Sequence, residues 1–162
     1  MKRLAQRLWH SGCRWLWLSG LVWAADQFSK QWITQQLAWQ ARQKLFPGFD
    51  LVHVYNPGAA FSLLANQPAW QWLLIVMAIA ICGWLFWELT QQPTSDWLPH
   101  IAYTLIIGGA LGNLTDRYRY GAVLDFIDIY INHWHWPAFN LADSAICLGC
   151  GLLLWKNVQK RY

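Results

Sequence analysis

The amino-acid sequence predicts an all-α membrane protein of four transmembrane helices, with a small extracytoplasmic β-sheet or cradle and a segment lying along the membrane interface. Three observations carry that prediction. Of 162 residues, 56% are hydrophobic and 12% are charged, where soluble proteins carry charge on roughly a quarter of their residues. Four apolar runs, at 15–33, 70–87, 97–114 and 138–155, each approach the roughly 20 residues that cross a hydrocarbon core. Each run has Trp near one or both of its ends, where an amphipathic ring favours the headgroup level. The mean hydropathy of +0.18 understates this, because Trp and Tyr score as mildly polar yet partition well into bilayer interfaces.

The first run follows Lys2, Arg3, Arg7 and Arg14, and the fourth precedes Lys156, Lys160 and Arg161. Lys and Arg mark cytoplasmic flanks, so both termini are expected in the cytoplasm, which an even number of spans allows. Arg14 interrupts any secretory apolar core, and no small-residue cleavage site follows, so the first helix reads as retained. "HSGC" at 10–13 resembles a lipoprotein acceptor site, but no apolar stretch precedes it. The net charge of +4 lies largely in the two tails, which suits anionic lipid headgroups and gives a nucleic-acid partner little support. Near the outer end of this helix, "DQFSK" sets Asp26 and Lys30 at i and i+4, on one face and of opposite sign. A structural pair and a site role are equally open for them.

The next connection, 34–69, faces outward. In "FPGFDLVHVYNPGAAFSLL", Pro47-Gly48 predicts a turn, and Phe49, Leu51 and His53 then alternate with Asp50, Val52 and Val54 as in a strand. "NPGAAF", from Asn56, breaks that run: Pro57 fixes a torsion, Gly58 permits positive φ, and Ala59-Ala60 leave room for close approach. Taken alone this is an ordinary strand-ending turn. The second and third runs are joined by "ELTQQPTSDWLP", which holds Glu88 and Asp96 but no Lys or Arg; it is short, and the tails assign it to the cytoplasm.

In the third run Gly108 and Gly112 form a small-xxx-small face that lets a neighbouring helix approach closely. Asn113, Asp116 and Arg117 follow at i, i+3 and i+4 in "GNLTDR". The aromatic stretch "RYRYGAVLDFIDIYINHWHWP" is expected at the membrane interface, anchored by Trp134 and Trp136. His133 and His135 have the spacing of a metal pair, but no Cys or carboxylate set completes a site, so they read as interfacial and no metal or other cofactor is expected. Cys13, Cys82, Cys147 and Cys150 fall in or beside helices on the cytoplasmic half, where disulfides are not expected and "CLGC" reads as helix packing.

The fourth run, "FNLADSAICLGCGLLLW", contains Asp143, and a mid-helix Asp costs about 2.5–3.5 kcal/mol on insertion scales. With Pro137 at the helix start, Asp143 lies only about 9 Å below that end, and Asn140 sits one turn above it. Asp26, Lys30, Asn113, Asp116, Arg117 and Asp143, with Asp125 and Asp128 in "VLDFID", thus all fall at the outer end of a helix or in an outer loop. Two close carboxylates share a proton, so one can activate water while the other protonates a leaving group. Nearby Asn and Arg donors would orient them and stabilise an oxyanion. There is no HExxH and no nucleophilic Ser motif with a partner His; Ser29 and Lys30 are adjacent, so they point about 100° apart on a helix. Spacing alone leaves a peptidase level with an ion or proton path, and a non-catalytic scaffold subunit is a third class.

Four separated motifs in order, "DQFSK" at 26–30, "NPGAAFS" at 56–62, "GNLTDR" at 112–117, and "VLDFID" with "FNLADS" at 124–128 and 139–144, resemble the lipoprotein signal peptidases, or signal peptidase II family, of the bacterial inner membrane. The resemblance covers nearly the whole chain. It implies one integral membrane domain, 1–162, with an outer cradle at about 45–62. It also implies an aspartic endopeptidase that removes signal peptides from prolipoproteins, cutting just before a diacylglyceryl-Cys. On that resemblance the catalytic dyad is Asp125 and Asp143, with Asp128 a less favoured rival. Asp26, Lys30, Asn56, Gly58, Asn113, Asp116, Arg117 and Asn140 become supporting or substrate-contacting residues. The implied partners are prolipoproteins and membrane lipid, and the enzyme is expected to act as a monomer.

Overall fold

The structure, a computed structural model, describes residues 12–58, 68–91 and 95–159. A short 3-10 turn, Gly12–Trp15, leads into α1 (Leu16–Gln36). The hairpin of β1 (Arg42–Phe46) and β2 (Phe49–Asn56) follows, then α2 (Pro68–Gln91) and α3 (Trp97–Tyr120). The chain ends with β3 (Val123–Ile131), the two-residue β4 (Trp134–His135) and α4 (Leu141–Gln159). Ala59, Ala60 and the rest of the "NPGAAFS" motif beyond Gly58, with the basic residues of both outermost tails, lie outside the described residues.

All four apolar runs are helices, of 21, 24, 24 and 19 residues. Two of them, Trp70–Gln91 within α2 and Leu141–Gln159, are apolar enough to cross a membrane on composition alone. The other two carry ionisable groups that the bundle encloses: Asp26, Lys30 and Asp116 are all buried. α3 is the central helix, packed against α1, α2 and α4.

Small residues on α3 set that packing. A Cβ added at Gly108 would stand 2.7 Å from the Ser19 carbonyl of α1, and one at Gly112 would stand 2.5 Å from the Asp26 carboxylate. Gly109 turns to the other side, where a Cβ would meet the Ala142 carbonyl of α4. The small-xxx-small face therefore lets α1 approach α3, while its neighbour Gly109 admits α4.

Two of the helix ends that differ from the sequence expectation bear on the site. α3 continues to Tyr120 and stops at Gly121, whose φ of +68° is free for a residue without Cβ and whose N–H bonds to the Arg117 carbonyl at 3.0 Å. α4 starts at Leu141, not 138, because Phe139 is paired with Ile127 of β3 and Asn140 caps the helix. Asp143 is thus the third residue of α4, in its first turn, and is not recessed about two turns below a Pro137 start.

The stretch expected as an interfacial segment folds as β3 and β4, completing an antiparallel sheet of order β1-β2-β3-β4. Its β-branched alternation finds a partner edge in β2, with Asp50 opposite Asp128 and Asn56 opposite Val123. The Pro47-Gly48 turn forms as expected, with Gly48 at φ +91°. Leu51, Leu124 and Phe126 pack on Ile33 of α1, fastening the sheet to the end of the bundle; each such buried side chain contributes about 1.5–3 kcal/mol. None of the four cysteines is in a disulfide.

Candidate active site

A register shift in the β2–β3 pairing, between Leu51 and Val54, sits beside Asp125, a device that commonly re-aims side chains next to functional sites. Successive strand residues point to opposite faces, so Asp125 and Asp128, three apart, diverge. Asp125 faces a cleft of about 460 Å³ that Asp143, Asn113 and Arg117 also line. Asp128 faces Asp50 and is held by Arg42 at 2.6 Å and by His135 at 2.9 Å. The rival acid therefore serves a sheet clasp away from the cleft. His135 finds a carboxylate partner, and among the described residues no three His, Cys, Asp or Glu side chains group as a metal ion would need.

Asp125 and Asp143 meet through Asn140. The Asn140 side-chain amide donates to Asp125 Oδ1 at 2.8 Å, and its backbone N–H donates to Asp143 Oδ2 at 3.2 Å. Its Oδ1 accepts the Asp143 N–H at 2.9 Å. This reciprocal pattern is a capping box, with an Asp at the third helical position taking the role usually given to Glu. Phe139, whose carbonyl accepts the N–H groups of Phe126 and Ile127 at 3.0 and 2.8 Å, pins the segment to β3 and delivers Asn140 beside Asp125.

Two further asparagines complete the frame. Asn56 Nδ2 donates to Asp125 Oδ2 at 3.1 Å, and Asn113 Nδ2 donates to Asp143 Oδ1 at 2.7 Å. Each amide oxygen is already engaged: Asn56 Oδ1 accepts from the Gly58 N–H at 3.1 Å, and Asn113 Oδ1 from Asn140 Nδ2 at 3.2 Å. The amides cannot turn without losing bonds, so both acids face fixed donors. Burial, and next the charge of Asp143, push the Asp125 carboxyl up to about 7 against the opposing bonds from Asn56 and Asn140.

Behind the frame lies a buried ionic knot. Lys30 Nζ sits 2.8 Å from Asp26 and 2.7 Å from Asp116, and reaches Asn113 Oδ1 at 3.4 Å. Asp26 accepts the Ala142 N–H of α4 at 3.0 Å, and Asp116 accepts the Leu124 N–H of β3 at 3.2 Å. The knot thus ties α1 and α3 to the two segments that carry Asp125 and Asp143. Arg117 donates to the Gly58 carbonyl at 3.3 Å and lines the cleft.

All ten residues singled out from the sequence fall in this one network, Gly58 at its margin. The sequence reading missed Gln27, whose amide bridges Asp116 at 2.9 Å and Asp26 at 3.2 Å; its place inside "DQFSK" was the available signal. It also missed the walls, Trp136, Phe139, Ser144 and Cys147. Cys147 was readable, since it lies one helical turn beyond Asp143.

Comparison with known proteins bears on the same residues. A family model described as signal peptidase (SPase) II matches residues 18–159. The lipoprotein signal peptidase of Shewanella pealeana is 49% identical over 145 residues, 89% of this chain and 85% of that protein. That of Pseudoalteromonas atlantica is 48% identical over 89% of this chain and 88% of its own length. A solved structure described as a bacterial membrane enzyme, obtained by the in meso method at 2.3 Å resolution, superposes with a TM-score of 0.82 at 26% identity, covering 91% of this chain and 89% of the other. A second, at 1.9 Å resolution, gives 0.77. Matched across nearly its whole described length in sequence and in fold, this chain belongs to the signal peptidase II family of bacterial membrane proteases.

Proposed function

We propose that this protein cleaves diacylglyceryl-modified prolipoproteins just before the lipidated Cys, as an aspartic endopeptidase whose dyad is Asp125 and Asp143. One observation carries the reading: Asn140 bonds to both acids at once, and both line one cleft. Asp125, whose carboxyl is pushed up to about 7 by burial and then by the charge of Asp143, carries the shared proton, and Asp143 acts as base. A water between them gives a proton to Asp143 and attacks the scissile carbonyl, while Asp125 protonates the carbonyl oxygen. The tetrahedral diol then collapses: Asp125 recovers its proton, Asp143 passes its own to the departing amine, and the C–N bond breaks. Asn56, Asn113 and Asn140 keep the acids oriented through both steps.

Asp26, Lys30 and Asp116 support this geometry, and Gly58 and Arg117 border the substrate. In this reading α1 to α4 all span the inner membrane, both termini are cytoplasmic and the sheet lies on the outer face. A signal helix and its lipid then stay in the bilayer while the scissile bond reaches the cleft. The complete network in one chain favours a monomer. The test is cleavage of a diacylglyceryl prolipoprotein beside its unlipidated form. Asp125→Asn and Asp143→Asn should each lower cleavage by about a thousand-fold or more with insertion intact; substantial residual processing by either variant sinks the dyad. Chelators should leave the rate unchanged, and loss of activity restored by zinc would return the histidines to consideration.

A further inference from the structure

The asparagine that meets Asp125 from β2 is held in turn by elements outside the cleft. Gly58 N–H closes on Asn56 Oδ1, which commits the amide oxygen and leaves Nδ2 facing the carboxylate. If the amide turned over, its oxygen would face Asp125 and the contact would become repulsive. The two carbonyls of this turn are gripped from opposite sides. Arg117 of α3 takes the Gly58 carbonyl, and Gln71 Nε2, in the first turn of α2, takes the Pro57 carbonyl.

α2 packs chiefly on α3 and the N-terminal 3-10 turn, and Gln71 adds a direct hydrogen bond from α2 to the turn that holds Asn56. Gln71 keeps that bond although its own Oε1 is buried without a partner among the described residues, an arrangement folded proteins ordinarily avoid. The donor end dictates where this side chain lies.

We propose that Gln71 is a positioning residue for proteolysis: by holding the Pro57–Gly58 turn to α2, it keeps the Asn56 amide aligned on Asp125. The proposal rests on Asp125 belonging to the dyad. The groups acting on Asp125 are Asp143 of α4, Lys30 of α1, Arg117 of α3 and the amides of Asn56 and Asn140. Of these, the Asn56 bond draws its pKa downward. Losing the alignment lets Asp125 keep its proton to higher pH and leaves the acid less firmly placed for transfer.

The test uses the full-length enzyme in detergent with a diacylglyceryl prolipopeptide. Gln71→Met, which has no donor, should lower kcat about ten-fold, the upper weight of one neutral hydrogen bond. KM should stay within about two-fold, and the alkaline limb of the pH profile should move upward. Gln71→Lys keeps a donor of sufficient reach and should recover most of the rate. Adding Gln71→Met to Asn56→Ala should cost nothing further, since both act on one bond. Wild-type kinetics in Gln71→Met, equal losses in Gln71→Lys, or losses that multiply in the double variant would each overturn the proposal. Should Gln71→Met fail to fold, Gln71→Asn, polar but too short to reach Pro57, gives the same readouts. Failure of the dyad is separable, because it appears as cleavage by Asp125→Asn.

Discussion

Asn140 concentrates three tasks in one side chain and one backbone N–H: it caps α4, orients Asp125 and anchors Asp143. Asn140→Ala should therefore lose stability of about 1–2 kcal/mol from the cap and, separately, about a hundred-fold in kcat from the freed acids. A capping residue of the wrong shape distinguishes the two: Asn140→Ser should restore the thermal midpoint but not the rate. Asp125 carries the opposite signature. Its folded pKa of about 7 against the ordinary 3.8 means the folded state binds this proton more tightly than the unfolded chain does. Stability is then fullest below about pH 4, falls as pH rises toward 7, and stays reduced above that. Asp125→Asn removes the penalty, worth roughly 2–4 kcal/mol. It should melt higher than wild type at about pH 8 and show no such gain at about pH 4, while remaining inactive. Equal midpoints at the higher pH would show that the carboxyl is not held in a costly state.

At the scale of elements, the sequence disclosed the helices and concealed the strand. Apolar length and flanking Trp located all four helices, because a helix that buries or lipid-faces most of its surface needs a long apolar run. The β3 segment is apolar on both faces, so its alternation was hard to see and it read as an interfacial stretch. That reading left Asp125 and Asp128 as rivals, and the period of two separates them by sending them to opposite faces. Pro137 drew the α4 start too early, because a Pro often opens a helix and nothing local revealed that Phe139 would pair with β3. The ionic knot was half legible: Asp26 and Lys30 follow from i, i+4 spacing, but Asp116 arrives across the bundle. Lys30→Met should cost about 3–5 kcal/mol, since it leaves two buried carboxylates uncompensated. Gly109→Ala should act differently. Its Cβ meets the Ala142 backbone, so α3 and α4 must separate, at about 1–3 kcal/mol, and the Asn113–Asp143 bond lengthens. The expected result is a lower thermal midpoint together with reduced kcat, whereas a pure stability effect would leave kcat intact.

For the whole molecule, the decisive issue is which way the bundle sits in the membrane. The sheet and the cleft grow from one end of the helices: α1 and α3 run toward the strands, and α4 departs from them. The opposite end holds the α2–α3 connection and Lys156, which pairs with Asp96. The tails carry the excess of Lys and Arg, and in the proposed topology that excess orients the bundle with the sheet outward. In the proposed reading, a lipid-anchored substrate whose signal helix stays in the bilayer offers its scissile bond at that outer headgroup level, so activity and topology stand or fall together. Replacing the four native cysteines with Ser and placing single reporters tests this directly. His133→Cys lies at the exposed tip between β3 and β4, and Gln159→Cys at the exposed far end of α4. A membrane-impermeant maleimide should label His133→Cys in intact spheroplasts and Gln159→Cys only after permeabilisation. The reverse pattern would put the cleft in the cytoplasm, where a signal peptide already threaded through the membrane could not present its lipidated end to Asp125 and Asp143.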